Sequence, residues 1–199
     1  MIYQNNNKKE SSEEPKHLLK MIWGKVKPSS QFLDLGCGDG RDALFMAYKG
    51  FNVTASDKSA PNIQKLQKTA SENNLNNQIT FIQKDVRDFS VEKNKYSVIN
   101  ISNLLQFLSK KESLAIINEA KSELKKSGFI LISAFSVKDP SYKKNSNKMK
   151  CYFSTQELLR LFLDFNILFY VENIITEQGH HGSPHAHKHG IVKIIAQKI

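Results

Sequence analysis

The segment Phe32–Ala43, FLDLGCGDGRDA, constrains the fold of this chain more than any other. A short apolar run, Phe32 to Leu35, ends in three alternating glycines, Gly36, Gly38 and Gly40, and a helical pattern starts at Arg41. Glycine takes positive φ at little steric cost and carries no Cβ, so this turn is sharp and its backbone is open to a ligand. A buried strand that feeds such a turn and then a helix is the opening unit of an α/β fold. The spacing is G-x-G-x-G, not the G-x-G-x-x-G of dinucleotide sites. Asp34 and Asp39 bring carboxylates to the turn, where they repel a pyrophosphate and attract an ammonium group. The turn therefore suits an amino-acid-like ligand.

Strand and helix patterns alternate beyond it. FNVTAS, QITFIQ, YSVINI and GFILISAF read as strands. The stretch GRDALFMAYKG reads as a helix closed by Gly50, and APNIQKLQKTASENN as one with Ile63, Leu66 and Ala70 on one face. A third helix opens with a capping box at Ser109 and Glu112 and should run to Gly128. A loop of about 18 residues, long by ordinary standards, leads to STQELLRLFLDF, a helix with a second capping box at Ser154 and Glu157. The last two strands, ILFYVENII and IVKIIAQK, have no helix between them and should pair as an antiparallel hairpin. The expected class is α/β with a mostly parallel sheet. Residues 28–199 form its single domain, and residues 1–27 form an N-terminal helical extension. Within that extension Ser11–Val26 is amphipathic, with Leu18, Leu19, Ile22, Trp23 and Val26 on one face. It suits a cofactor cover and a dimer contact equally, and no oligomeric state follows.

Composition narrows the setting. The 199 residues are 40% hydrophobic, enough for a core, and include two cysteines, Cys37 and Cys151. These make no disulfide framework and no CxxC pair, which fits a reducing compartment. The N-terminus shows no apolar signal core and no run is long enough to span a bilayer, so the expectation is a cytoplasmic protein with no membrane contact. The net charge is +10. The lysines are scattered, and no arginine-rich stripe with interleaved aromatics appears, so nucleic acid is not the favoured partner. The densest basic patch, Tyr142–Lys150, is what an RNA-directed alternative would use.

Two more acidic residues follow strand ends. Asp57 closes VTASD, where a carboxylate takes ribose hydroxyls. Asp85 follows the third strand, placed to accept from an adenine amino group, with the Val86 amide beside it for a ring nitrogen. Ammonium, ribose and adenine are together the parts of S-adenosylmethionine.

On LDLGCGDGRDA, Asp57 in TASDKS and KDVRDF, the chain resembles the class I S-adenosylmethionine-dependent methyltransferases. That resemblance implies a Rossmann-like, seven-stranded sheet of order 3-2-1-4-5-7-6, strand 7 antiparallel, with helices on both faces. It implies S-adenosylmethionine as cofactor, held by Asp34, Gly36, Cys37, Gly38, Gly40, Arg41, Asp57, Lys58, Asp85, Val86 and Ile101. Within the class, GCGDGRDAL, the compact size and the YFSTQELL-to-IVKIIAQK tail are similar to the TehB-like tellurite-resistance methyltransferases. Those methylate small soft oxyanions, which implies a small-molecule acceptor such as tellurite, selenite or a thiol. A non-catalytic module that senses a nucleoside or a metal is the alternative from another class. An NAD-dependent oxidoreductase is disfavoured by the glycine spacing and by the lack of a Tyr-x-x-x-Lys pair after the fourth strand.

Gly179–Gly190, GHHGSPHAHKHG, holds five of the six histidines: His180, His181, His185, His187 and His189. If the sheet order holds, this connection lies at the carboxyl ends of the parallel strands, where ligands bind. In an extended segment His185, His187 and His189 point to one side. Acceptor contact or proton transfer is the leading role for these three, with His180 and His181 as further acceptor contacts. A solvated loop is the plain reading. Metal binding ranks last, because no nearby cysteine or acidic pair completes a site, and no metal is assigned. Gln106, just past the fourth strand, and Tyr152, after the long loop, are the other acceptor candidates. DPSY, Asp139–Tyr142, reads as a chance likeness to the D-P-P-Y of amino-group methyltransferases.

Overall fold

The computed structural model describes residues 17–143, 149–178 and 185–199. Apolar stretches with few polar interruptions form the inner strands: β1 Gln31–Leu35, β2 Asn52–Asp57, β4 Val98–Ser102 and β5 Phe129–Phe135. Every position of β4 and β5 is buried, as expected of strands covered on both faces. β3 Ile79–Gln83 lies at one edge. β6 Phe165–Glu177 and β7 His187–Lys198 form a long antiparallel hairpin at the other. The strand order is β3-β2-β1-β4-β5-β7-β6, with β7 antiparallel to β5, as expected. The order reverses between β1 and β4, which makes a crevice at their carboxyl ends.

Helices cover both faces. α1 His17–Ile22, α2 Arg41–Tyr48 and α3 Ala60–Glu72 pack on one side, where Leu18, Leu19 and Ile22 join Phe32, Met46 and Phe51 in a common core. α4 Lys110–Glu123 covers the other side, with Ile116, Ile117 and Ala120 against Ile99, Ile101 and Ile132. Two short helices, α5 Pro140–Lys143 and α6 Glu157–Arg160, complete the chain. No helix among the described residues is long and apolar enough to cross a membrane.

Several elements differ from expectation. After Ile22 the chain tightens into a 3-10 turn, Trp23–Lys25. Trp23 leaves the buried face there and is 40% exposed, with the Lys49 ammonium 4.7 Å over its ring. α4 keeps its capping box but stops at Glu123 instead of running to Gly128. Lys198 Nζ takes the carbonyls of Ser122 and Leu124 at 2.7 and 2.9 Å and so satisfies the helix end. The second capping box forms only in half: the Ser154 amide donates to Glu157 Oε2 at 2.8 Å, but the N-cap is Gln156, at φ 59. α6 is one turn long, because Lys121 Nζ binds the Leu161 carbonyl and Asp164 Oδ1 and draws the chain toward β6. The hairpin strands are longer than the apolar pattern indicated, so His187 and His189 lie within β7 and not in the loop. Extended pairing carries on past the buried part, with Glu177 opposite His187 and Ile175 opposite His189.

Candidate active site

The glycine turn sits at the carboxyl end of β1 and is fixed by β2. The amides of Gly36 and Cys37 donate to the Ser56 carbonyl at 2.8 and 3.0 Å. The Gly38 amide donates to Asp57 Oδ2 at 2.9 Å, while Asp57 Oδ1 accepts from the Ser59 amide at 2.8 Å. Gly40, at φ 85, caps α2, and a Cβ there would sit 2.2 Å from Leu66 Cδ1. Gly38, at φ 57, has open space where a Cβ would be. A solvent-open cavity of about 190 Å³ lies here, walled by Gly36–Asp39, Arg41, Asp42, Ser102 and Asn103.

Beneath the turn, two carboxylates are almost wholly buried: Asp34 is 2% exposed and Asp42 6%. Asn100 Nδ2 donates to both, at 2.8 Å to Asp34 Oδ1 and 3.3 Å to Asp42 Oδ2. The Asn100 side-chain oxygen in turn accepts from the Ser102 hydroxyl at 2.8 Å. Two carboxyl groups bridged by the Asn100 amide line this wall with acceptor oxygens, which suits a ligand carrying an ammonium or sulfonium group. The bare space at Gly38 and these oxygens fit S-adenosylmethionine. Burial, with Asp34 and Asp57 next, pushes the Cys37 thiol well above its ordinary range, so it stays a neutral thiol and a poor nucleophile.

The other sequence-expected donor contacts fall as follows. Arg41 opens α2 and faces the cavity, its Nε 3.9 Å from Asp42 Oδ1. Asp39 turns outward to Lys65 Nζ at 3.0 Å. Lys58 follows β2 at the surface. Asp85 is gripped by Arg87, whose Nε and Nη2 donate at 2.9 and 2.6 Å, and this side-chain hydrogen bonding holds its carboxyl well below the usual range. The Val86 side chain joins the core. Ile101 has its side chain fully buried in the core, and its neighbours Ser102 and Asn103 line the cavity. A residue inside β4 packs against helices, and only the strand end reaches the crevice.

The carboxyl ends of β5 and the start of β7 build a second cluster. His189 stacks on Phe135, ring centroids 4.7 Å apart. Its Nδ1 lies 2.9 Å from Asp139 Oδ2, which also accepts from the Gly190 amide at 3.0 Å. Asp139 Oδ1 takes the Ser141 amide at 2.8 Å and the Ser141 hydroxyl. Ser141 Oγ meets the Tyr152 hydroxyl at 2.8 Å, and Tyr142 packs edge-on against Tyr152. The DPSY aspartate is 2% exposed and holds both His189 Nδ1 and the Gly190 amide. His187 lies 4.8 Å from His189, ring centre to ring centre, and its Nδ1 is 3.0 Å from the carbonyl of His185, itself exposed. Gln106 is buried, and its Oε1 has no hydrogen-bond partner among the described residues. His180 and His181, like Lys144–Lys148 of the basic patch, lie outside the described residues.

The family model described as tellurite resistance protein TehB matches residues 9–184. The chain belongs to the TehB family. A probable S-adenosyl-L-methionine-dependent methyltransferase TehB of Haemophilus influenzae is 28% identical over 149 residues, which are 71% of this chain and 50% of that protein. A carboxy-S-adenosyl-L-methionine synthase of Vibrio cholerae is 26% identical over 145 residues, 71% of this chain and 52% of that one. The chain thus spans about half the length of these curated relatives. The crystal structure of TehB from Haemophilus influenzae superposes with a TM-score of 0.76 at 27% identity, covering 92% of this chain and 60% of that chain. A Methanosarcina mazei methyltransferase structure, at TM-score 0.70 and 20% identity, covers 90% of this chain and 97% of its own and shares the fold.

Against the family frame, sequence reasoning passed over Asp42, Asn100, Ser102, Asn103, Asp139 and Glu177. One signal was present: Asn100 is a polar residue inside the otherwise apolar strand VINI. A buried amide needs partners, and that need points to carboxylates nearby. Glu177 carried no local signal, since only the register of the hairpin brings it to the histidines.

Proposed function

We propose that this chain transfers a methyl group from S-adenosylmethionine to a small, soft nucleophile, an oxyanion such as tellurite or selenite, or a thiol. The observation that carries the reading is the buried pair Asp34 and Asp42 under the open glycine turn, on the same sheet edge as the His189–Asp139 cluster. In this reading Asp34, Gly36, Cys37, Gly38, Gly40 and Arg41 hold the methionine end of the donor. Asp57 takes the ribose, with Lys58 at its rim. Asp85 and the Val86 amide take adenine once Arg87 gives way. Gln106, Tyr152, His185, His187 and His189 face the acceptor, joined by His180 and His181. Both described cysteines are thiols, in keeping with a reducing cytoplasm.

The donor carries its own activation in the sulfonium charge. The chain's task is to align nucleophile, methyl and sulfur in line and to exclude water around them. A soft anion needs no strong base, so polar and aromatic contacts at Phe135, Tyr152 and His189 suffice to seat it. The experiment is production of S-adenosylhomocysteine by the purified chain across tellurite, selenite, thiols and RNA. The expected result is acceptor-dependent product with at least one soft small nucleophile. Product with RNA alone would replace this reading, and tight donor binding with no product from any acceptor would leave a sensing module.

A further inference from the structure

We infer that Glu177, His187 and His189 form a binding site for a divalent transition-metal ion, with Asp139 as the residue that orients it. The ligand-capable atoms of these three residues lie within 4.8 Å of one another, and His189 Nε2 is 3.9 Å from Glu177 Oε2. Two imidazoles and one carboxylate are the donor set of borderline ions such as Zn²⁺, and three protein ligands leave a coordination position open. A tetrahedral site with bonds of about 2.0 Å has edges of about 3.3 Å. The observed spacing therefore needs a contraction of up to about 1.5 Å, which a rotamer change of Glu177, its side chain 44% exposed at a strand end, and small rotations of the two imidazoles supply.

The tautomers favour this role. His189 presents Nδ1 to Asp139 Oδ2 at 2.9 Å, and His187 presents Nδ1 to the His185 carbonyl at 3.0 Å. Each contact places the proton on Nδ1 and the lone pair of the neutral ring on Nε2. A metal-binding histidine characteristically donates its other ring nitrogen to a carboxylate or a backbone carbonyl, and here one histidine does each. Asp139 is itself fixed by three further donors, the Ser141 amide and hydroxyl and the Gly190 amide. A Cβ at position 190 would lie 2.1 Å from the Asp139 amide nitrogen, so glycine there is what lets this carboxylate reach His189. Alternation in β7 puts His187 and His189 on one face and Lys188 on the other, and the register places Glu177 directly opposite His187. The sequence alone ranked a metal last for want of an acidic partner. The hairpin supplies that partner from the far strand.

The site lies past the carboxyl end of β5, where the acceptor is proposed to sit. As far as the methyl-transfer reading holds, the open position would take the acceptor's oxygen or sulfur. The binding claim itself is independent of that reading, and so is its test. The full chain, freed of metal with a chelator, is titrated with Zn²⁺ in a calorimeter, and Co²⁺ is added to a second sample for its visible spectrum. The expected result is one ion per chain with a Kd below about 1 µM and a tetrahedral Co²⁺ spectrum. Glu177→Gln and His187→Ala should each weaken binding at least tenfold, and Asp139→Asn by about 10–100-fold, while all three keep wild-type affinity for S-adenosylmethionine. Absence of saturable Zn²⁺ binding up to about 100 µM would overturn the inference. So would binding that survives Glu177→Gln and Asp139→Asn but is lost in His180→Ala/His181→Ala. Zinc binding without turnover of any acceptor supports the site and removes the methyl-transfer reading, whereas turnover by a chain that binds no zinc does the reverse.

Discussion

Asp57 joins the two halves of the donor side. One carboxylate oxygen takes the Gly38 amide and the other takes the Ser59 amide, so the side chain proposed to take the ribose also holds the glycine turn in shape. Hydrogen bonds to a charged group contribute about 1.5–3 kcal/mol each. Asp57→Ala should therefore weaken S-adenosylmethionine binding by at least about tenfold, one such bond's worth, in a calorimetric titration. Unchanged affinity would show that neither the turn nor the ribose depends on it. The place of Asp57 beside the glycine turn was legible in the sequence because it is an acid at the end of the second strand. Asp139 was not, because its partner His189 lies 50 positions away and only the β5–β7 pairing brings them together. Residues whose role is set by local chain geometry, such as Gly38 and Gly40, declare themselves in a motif. Residues whose role is set by register do not.

The same division holds for whole elements. α3 and its Ser59 cap, and α4 with its reciprocal Ser109–Glu112 box, form where the pattern placed them, since each signal acts within one turn. α6 fails as the long helix its pattern suggested because distant groups intervene. Lys121 captures the Leu161 carbonyl, and Glu172 of β6 accepts the Gln156 amide at 3.1 Å. α1 shows the opposite case, a short helix made secure by packing. Its Leu18, Leu19 and Ile22 are no more than 1% exposed, and they share one core with Phe32 of β1 and Met46 of α2. Truncating a fully buried leucine costs about 2–5 kcal/mol. Leu19→Ala should destabilise the whole chain by that amount in urea unfolding, in one transition. A separate early transition, with the main one unmoved, would mean that α1 is an appendage and not part of the core.

For the molecule as a whole, the sheet order fixes where chemistry can occur. Four parallel strands, β1, β2, β4 and β5, bring the glycine turn, Asp57, Ser102 and Phe135 to one edge, and the hairpin returns His187 and His189 to that edge from the far end of the chain. The α/β class and the final hairpin were legible because strand and helix patterns alternate until the last two strands, and the strand order came from the family resemblance that the motifs at successive strand ends carry. The proposed acceptor side was legible only as a histidine-rich connection, since the residues gathered there come from β5, α5, β6 and β7 together. The central claim is that donor binding and acceptor binding are divided between these two clusters. It is tested most directly by comparing the wild-type chain with His185→Ala/His187→Ala/His189→Ala for both donor affinity and S-adenosylhomocysteine production with the acceptor that works best. The account predicts donor affinity within about twofold and turnover lower by about 100-fold or more, which is about 2.7 kcal/mol of lost transition-state stabilisation. Turnover of the triple variant equal to wild type would contradict it.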